Sequence, residues 1–240
     1  MENNKSDPAC LPKEILDITW SNTSEERLKE AYKVWADTYD KWANGTQQDS
    51  SPGYVGHISC AETFNTAASE VYGDIEKKNL KLLDLGCGTG LLGQILKEKY
   101  GFENMVGLDL SEEMLAKARE KGIYKRLICS YVTNKRVADI ENAEYDGILA
   151  AGVFTPGQIK PSVFDEILRW IKPGGIICFT CRSDAYESEE YSYKDKFESL
   201  EIQERWESIS KSDSDYYGDQ THSERRSLRA RMLVYRILPF

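Results

Sequence analysis

Asp84, Gly86, Gly88, Gly90, Gly93 and Asp109 have the types and spacing to hold a charged ligand against bare backbone. An apolar run of strand length, Leu80, Leu82, Leu83 and Leu85, carries Asp84 near its end and stops at Gly86. Gly88, Gly90 and Gly93 then satisfy GxGxxG, and Asp109 follows about 20 residues later, close to where a dinucleotide fold keeps its ribose-binding acid. Beyond the glycines the period changes: Leu91, Leu92, Ile95 and Leu96 fall at helical spacing. Strand, glycine-rich turn and helix together read as the opening of a βαβ unit. Glycine permits positive φ and a close backbone approach, and the helix start beyond it presents unpaired N–H groups.

This geometry serves two different ligands. A nicotinamide dinucleotide is one, but Asp84, two residues before the first glycine, would face its pyrophosphate as a like charge. S-adenosylmethionine is the other: it carries an ammonium and a sulfonium beside its carboxylate, and a nearby aspartate favours those charges. The segments DLGCGTG and GLDLSEEML, followed by YDGILAAG and KPGGIICFT, resemble in order and spacing the class I methyltransferases that use S-adenosylmethionine. Within that superfamily, VWADTYDKWA, AGVFTPGQIKPSVFDEILRWIKPGG and CFTCR are most similar to the methyltransferase-like proteins of the Williams–Beuren region, over about Glu25 to Phe240.

The resemblance implies an α/β fold, a doubly wound, seven-stranded, mostly parallel sheet in the order 3-2-1-4-5-7-6 with helices on both faces. It implies S-adenosylmethionine against Asp84, Gly86, Cys87, Gly88 and Gly90, with Asp109 accepting the ribose hydroxyls and Leu110 and Met114 covering the adenine. Ala150 would leave room beside the reacting methyl. Relatives usually follow the third strand with an acid that reads the adenine amino group; here Tyr131 takes that place, with Val132 beside it. Relatives with a YD pair near the N-terminus close a helix over the cofactor and bring the tyrosine, here Tyr39, to its methionine end. The first acid of the repeated pair is Lys33 in this chain.

These residues need elements to hold them. Residues 1–24 read as a flexible arm with one short apolar contact around Ile15, Ile18 and Trp20, and residues 25–240 as a single domain. Within it, 25–78 form a helical lid and 79–240 the Rossmann-like core. Ser24 suits an N-cap, after which Leu28, Ala31, Tyr32, Trp35 and Tyr39 recur at helical steps as a core face. A second lid helix is expected over Ile58 to Tyr72. Core strands are expected at Asn104–Leu110, Arg126–Ser130, Tyr145–Ala150, Ile176–Thr180, Ile202–Ser210 and Leu228–Leu238, with a helix over Pro161–Ile171. Tyr54, His57, Phe154, Gln158 and His222 are the candidates for the substrate pocket, and His57 is the weak candidate for a catalytic base.

The chain of 240 residues suits one α/β domain. A net charge of −9 disfavours a general nucleic-acid binder. No apolar run approaches the ~18 residues of a membrane span, and no signal-peptide core opens the sequence, so a cytoplasmic protein is expected. Cys178 and Cys181 form CxxC, yet residues three apart on a strand face opposite sides, so neither a metal nor a redox centre is expected. The reaction expected is direct SN2 methyl transfer to a small-molecule acceptor. The alternative is a cofactor-binding scaffold of the same fold that transfers nothing.

Overall fold

The structure is a computed structural model that describes residues 13–19, 21, 23–45, 53–73, 75–218 and 228–239. Seven strands form one sheet: β1 (Leu82–Leu85), β2 (Met105–Asp109), β3 (Arg126–Cys129), β4 (Tyr145–Phe154), β5 (Ile171–Arg182), β6 (Trp206–Asp215) and β7 (Arg229–Ile237). Their order is β3-β2-β1-β4-β5-β7-β6, as the sequence implies. The first five run parallel, and β7 lies antiparallel to both of its neighbours. β1 and β2 are buried at every position; a central parallel strand is covered on both faces, and so reads as an unbroken apolar run rather than an alternation.

The lid consists of α1 (Lys13–Thr19), α2 (Glu25–Trp35) and α3 (Tyr39–Asn44), whereas α4 (Gly56–Tyr72), expected as a second lid helix, packs its Phe64 face on the sheet as part of the core. The other core helices are α5 (Leu91–Tyr100), α6 (Glu112–Glu120), α7 (Phe164–Trp170), α8 (Ser183–Glu187) and α9 (Tyr193–Ile202). One face of the sheet, with Leu82, Met105, Leu149 and Ile176, packs under α4 and α5 through Phe64, Leu92 and Leu96. The opposite face, with Leu83, Leu108, Ile148 and Phe179, packs under α7 and α9 through Phe164, Ile167, Phe197 and Leu200. Alternate residues of each strand point to opposite faces, and that alternation distributes the strand residues between the two cores.

The second core is largely aromatic. Phe164 places its ring centroid 5.0 Å from those of Phe154 and Phe197, 5.4 Å from Phe179 and 5.5 Å from Trp206. Phe164→Ala is expected to cost about 3–5 kcal/mol of unfolding free energy, read as a lower urea midpoint with an unchanged slope.

Several elements depart from the sequence reading. Ile202 ends α9 instead of starting a strand: Tyr193, Phe197 and Leu200 are buried at helical spacing, while Ile202 is 82% exposed. β6 therefore starts at Trp206. The helix expected to reach Ile171 stops at Trp170, because Ile171 is extended and pairs with Tyr145. Tyr39 lies not on α2 but at the start of α3, after a turn over 36–38. Residues 13–19 of the expected flexible arm form α1, with Ile15 packed into the lid cluster. Cys178 and Cys181 join opposite cores, as their spacing requires. Among the described residues no cluster of three candidate metal ligands occurs, and no helix is long and apolar enough to cross a membrane.

Candidate functional site

The floor of the site is the turn from β1 into α5. Gly86 and Gly88 have φ of 68° and 52°, a region where side chains cost energy and glycine does not. The amides of Gly86 and Cys87 both donate to the Leu108 carbonyl, at 2.7 and 3.0 Å, which pins the turn to the end of β2. A Cβ on Gly86 would run into the Val153 Cγ2 methyl, whereas one on Gly88 would enter open space. At the end of β2, Asp109 accepts the Gly88 amide on Oδ2 and the Ser111 amide on Oδ1, both at 2.9 Å. Burial pushes its carboxyl pKa up, and the amide hydrogen bonds oppose that rise. Each carboxylate oxygen accepts more than one hydrogen bond, so a pair of adjacent hydroxyls has acceptors left to meet.

Asp84 is 2% exposed. Burial raises its pKa to about 7, against the opposing effect of the Tyr124 hydroxyl that donates to Oδ2 at 2.6 Å. Tyr124 is the supporting residue that sequence reading missed. Its ring also packs where Cβ atoms on Gly90, Gly93 and Gly107 would lie, so Gly90 serves helix–sheet packing and is not part of the cleft wall.

The roof is the lid, whose rings pack on one another. Trp35 lies with its ring centroid 4.9 Å from both Tyr39 and Trp42, and Tyr54 lies 5.0 Å from Tyr216. Tyr54 forms an antiparallel bridge with Tyr217, and Val55 donates its amide to the Tyr216 carbonyl at 3.2 Å, so the start of α4 is tied to the end of β6. Asp40 fastens α3 to the floor: it accepts the Thr89 hydroxyl and pairs with the Lys121 ammonium at 2.7 Å.

Between floor and roof lie three adjoining cavities. The largest, about 640 Å³ counting space open to solvent, is lined by Gly86, Gly88, Asp109, Leu110, Met114, Tyr131, Val132 and Tyr39 among others. A second, about 330 Å³, brings Asp84, Cys87 and Thr89 together with Tyr39, Tyr54 and His57. A third, about 310 Å³, lies among Tyr32, Trp35, Tyr39, Trp42, Tyr54, Tyr216 and Gln158. Tyr39 lines all three.

Besides Gly90, two sequence candidates stand apart from these walls. Ala150 is fully buried in the second core, and its neighbours Ala151 and Gly152 line the cleft instead. Phe154 packs between Phe164 and Phe179, because β4 continues four residues past the expected end and turns that side chain inward. His222 lies outside the described residues. His57, 5% exposed, faces the second cavity and not the third; burial lowers its pKa to about 4, and its Nδ1 has no partner. Of the lid rings, Trp42 carried no signal beyond helical spacing.

The residues present suit S-adenosylmethionine. A carboxylate for the ribose, an open glycine at Gly88 for the backbone approach, apolar cover from Leu110 and Met114, and a buried acid beside the glycine turn line two cavities that share Tyr39, Gly86, Gly88 and Ala151. Sheet order, glycine turn and acid after the second strand define a class I, Rossmann-like methyltransferase fold. The chain belongs to the methyltransferase domain family, whose match spans residues 76–225. It is 36% identical over 129 residues to phosphoethanolamine N-methyltransferase 1 of Zea mays, covering 49% of this chain and 25% of that protein. It is 33% identical over 132 residues to methyltransferase-like protein 27 of Homo sapiens, covering 53% and 51%. The chain thus matches about half or less of the length of these curated relatives. Among solved structures, the [4+2]-cyclase SpnF superposes with a TM-score of 0.61 at 15% identity, over 92% of this chain and 99% of that one. An S-adenosylmethionine dependent methyltransferase from Mesorhizobium loti gives 0.50 at 16%, over 75% and 100%. At such identities the likeness is one of fold.

Proposed function

We propose that this protein transfers a methyl group from S-adenosylmethionine directly to a small-molecule acceptor. The observation that carries the reading is the convergence of Asp109, Gly86, Gly88 and Asp84 on two adjoining cavities roofed by the aromatic lid. The donor supplies an electrophilic methyl on a sulfonium. Asp109 holds the ribose, Asp84 favours the ammonium of the methionine, and the Tyr39 ring lies over the junction of all three cavities, where its face favours a sulfonium cation. The helices α2 and α3 act as the lid over the cleft, and Asp40 latches α3 shut through Thr89 and Lys121. Lid closure excludes water and aligns donor and acceptor, and alignment alone is worth about 7–11 kcal/mol of barrier.

A scaffold that binds the cofactor without transfer is the second reading. Tyr131, half-buried in the wall of the largest cavity, stands where relatives carry an adenine-reading acid. The fold by itself does not fix the reaction. Calorimetric titration with S-adenosylhomocysteine, with NAD as control, tests the cofactor: micromolar binding, about −8 kcal/mol, is expected for the first ligand alone. NAD binding, or neither, in folded protein overturns the reading.

Binding is also expected to depend on pH through Asp84. Its raised folded-state pKa means that its contribution to stability is present at acid pH and is lost as the pH climbs through about 7. An ammonium beside the ionised form displaces the proton. Affinity is therefore expected to rise from about pH 6 to pH 8, by at most tenfold per pH unit, with proton release read from calorimetry in two buffers of different ionisation enthalpy. Asp84→Asn should abolish both effects, and His57→Gln should leave both in place, since His57 is already neutral across this range.

A further inference from the structure

The third cavity differs from the other two in having no charge among the described residues of its walls. Its described lining consists of the six rings of Tyr32, Trp35, Tyr39, Trp42, Tyr54 and Tyr216, with Thr19, Gly152 and Gln158. No aspartate, glutamate, histidine, lysine or arginine is among them. The rings include near-parallel pairs: Tyr32 and Trp35 are 5° from coplanar, and Trp42 and Tyr54 are 15° from it. Tyr32, Tyr39, Gly152 and Gln158 also line the large cofactor cleft, so the two spaces join. Trp35 is 4% exposed, and its Nε1–H has no hydrogen-bond partner. An indole N–H is a donor only, and a buried donor without a partner costs free energy until a ligand supplies an acceptor. Gln158 already donates to the Thr19 carbonyl at 3.0 Å and to the Tyr32 hydroxyl at 2.9 Å, which fixes its amide in place.

These walls select among acceptors. A phosphate-bearing amine needs cationic side chains, and none is among the described lining. A phenol or an aliphatic ammonium must first lose a proton, and no group of the described lining takes one: the tyrosine hydroxyls are pushed up by burial, and His57 opens on the other cavity. Resting on the methyltransferase reading above, we infer that the acceptor is a planar, uncharged nitrogen heterocycle bearing a hydrogen-bond-accepting oxygen, stacked among the lid rings with that oxygen on Trp35 Nε1. The ring nitrogen is unprotonated at neutral pH. Its lone pair attacks the methyl carbon, an N–C bond forms, and the C–S bond breaks with its electron pair kept by sulfur, leaving S-adenosylhomocysteine as a neutral thioether. No proton moves. The positive charge passes from sulfur to the ring nitrogen and stays among aromatic faces, which favour a desolvated cation.

The test uses quinoline-3-carboxamide, unsubstituted quinoline and their N-methylated cations, with phosphoethanolamine and catechol as comparators. Binding is read by calorimetry on the full chain, with and without S-adenosylhomocysteine, and methyl transfer by mass spectrometry. The expected result is that the carboxamide and its methylated cation bind, that the ring nitrogen is methylated, and that the comparators are inert. Trp35→Phe, which removes the donor and keeps an aromatic side chain, should raise KM for the carboxamide at least tenfold more than it raises KM for quinoline. Methylation of catechol or phosphoethanolamine in preference, absence of heterocycle binding, or an equal effect of Trp35→Phe on both quinolines overturns the inference. Heterocycle binding that persists when S-adenosylhomocysteine fails to bind upholds the cavity's ligand class and overturns the methyltransferase reading alone.

Discussion

Asp109→Ala is expected to weaken S-adenosylhomocysteine binding at least a hundredfold. Hydrogen bonds to a charged acceptor are worth about 1.5–3 kcal/mol each, and a ribose presents two hydroxyls to this carboxylate. The substitution also strips the acceptor from the Gly88 and Ser111 amides, each held at 2.9 Å, so the turn that meets the ligand is left with only the Gly86 and Cys87 amides on the Leu108 carbonyl to tie it to the end of β2. The two losses act together, because the turn and the acid form one hydrogen-bonded unit. Calorimetric titration gives the affinity and a thermal melt gives the stability. An affinity within threefold of the parent chain would show that the ligand does not reach Asp109.

Gly86→Ala and Gly88→Ala are expected to fail for different reasons. Both positions have positive φ, where an alanine costs about 1–2 kcal/mol. At Gly86 the new methyl also meets the Val153 side chain, and forcing an extra methyl into packed space adds about 1–3 kcal/mol. Gly86→Ala should therefore lower the urea midpoint and abolish ligand binding together. At Gly88 the methyl points into open space within the cleft, so the protein should keep most of its stability and lose binding by tenfold or more. Equal loss of stability in the two variants would contradict the difference in their surroundings.

The β1–turn–α5 unit was legible because its signals are local. A run of leucines, a change of period at Leu91 and glycines at fixed offsets leave few backbone solutions. Boundaries were harder to read where local patterns compete. Ile202 follows a polar stretch and precedes a strand, and its β-branched side chain suits either state; burial of Tyr193, Phe197 and Leu200 on one face decided for α9. At Ile171 the helix yields to a strand because the pairing with Tyr145 outweighs one more helical turn. In the site, Tyr124 left no mark on the sequence. Its hydroxyl reaches Asp84 across 40 positions, and its ring fills the space left by Gly90, Gly93 and Gly107.

What could be read from residue order was the part of the molecule whose constraints act over a few positions: the glycine turn, the acids flanking it, the strand order that the resemblance implies, and the divergence of the two thiols in CxxC. Of the walls of the third cavity only Tyr54 and Gln158 were expected in a substrate pocket; the rest could not be read in that way. Tyr32, Trp35 and Trp42 show only the spacing of a core face, and Tyr216 lies far along the chain in β6's terminal turn. They become a binding surface because the bridge from Tyr54 to Tyr217 and the Asp40 contacts to Thr89 and Lys121 draw four distant segments over one cleft. Helical spacing encodes which face of a helix is apolar. It carries no record of whether that face will meet another side chain or enclose a space, and that choice depends on contacts made only when the chain is folded.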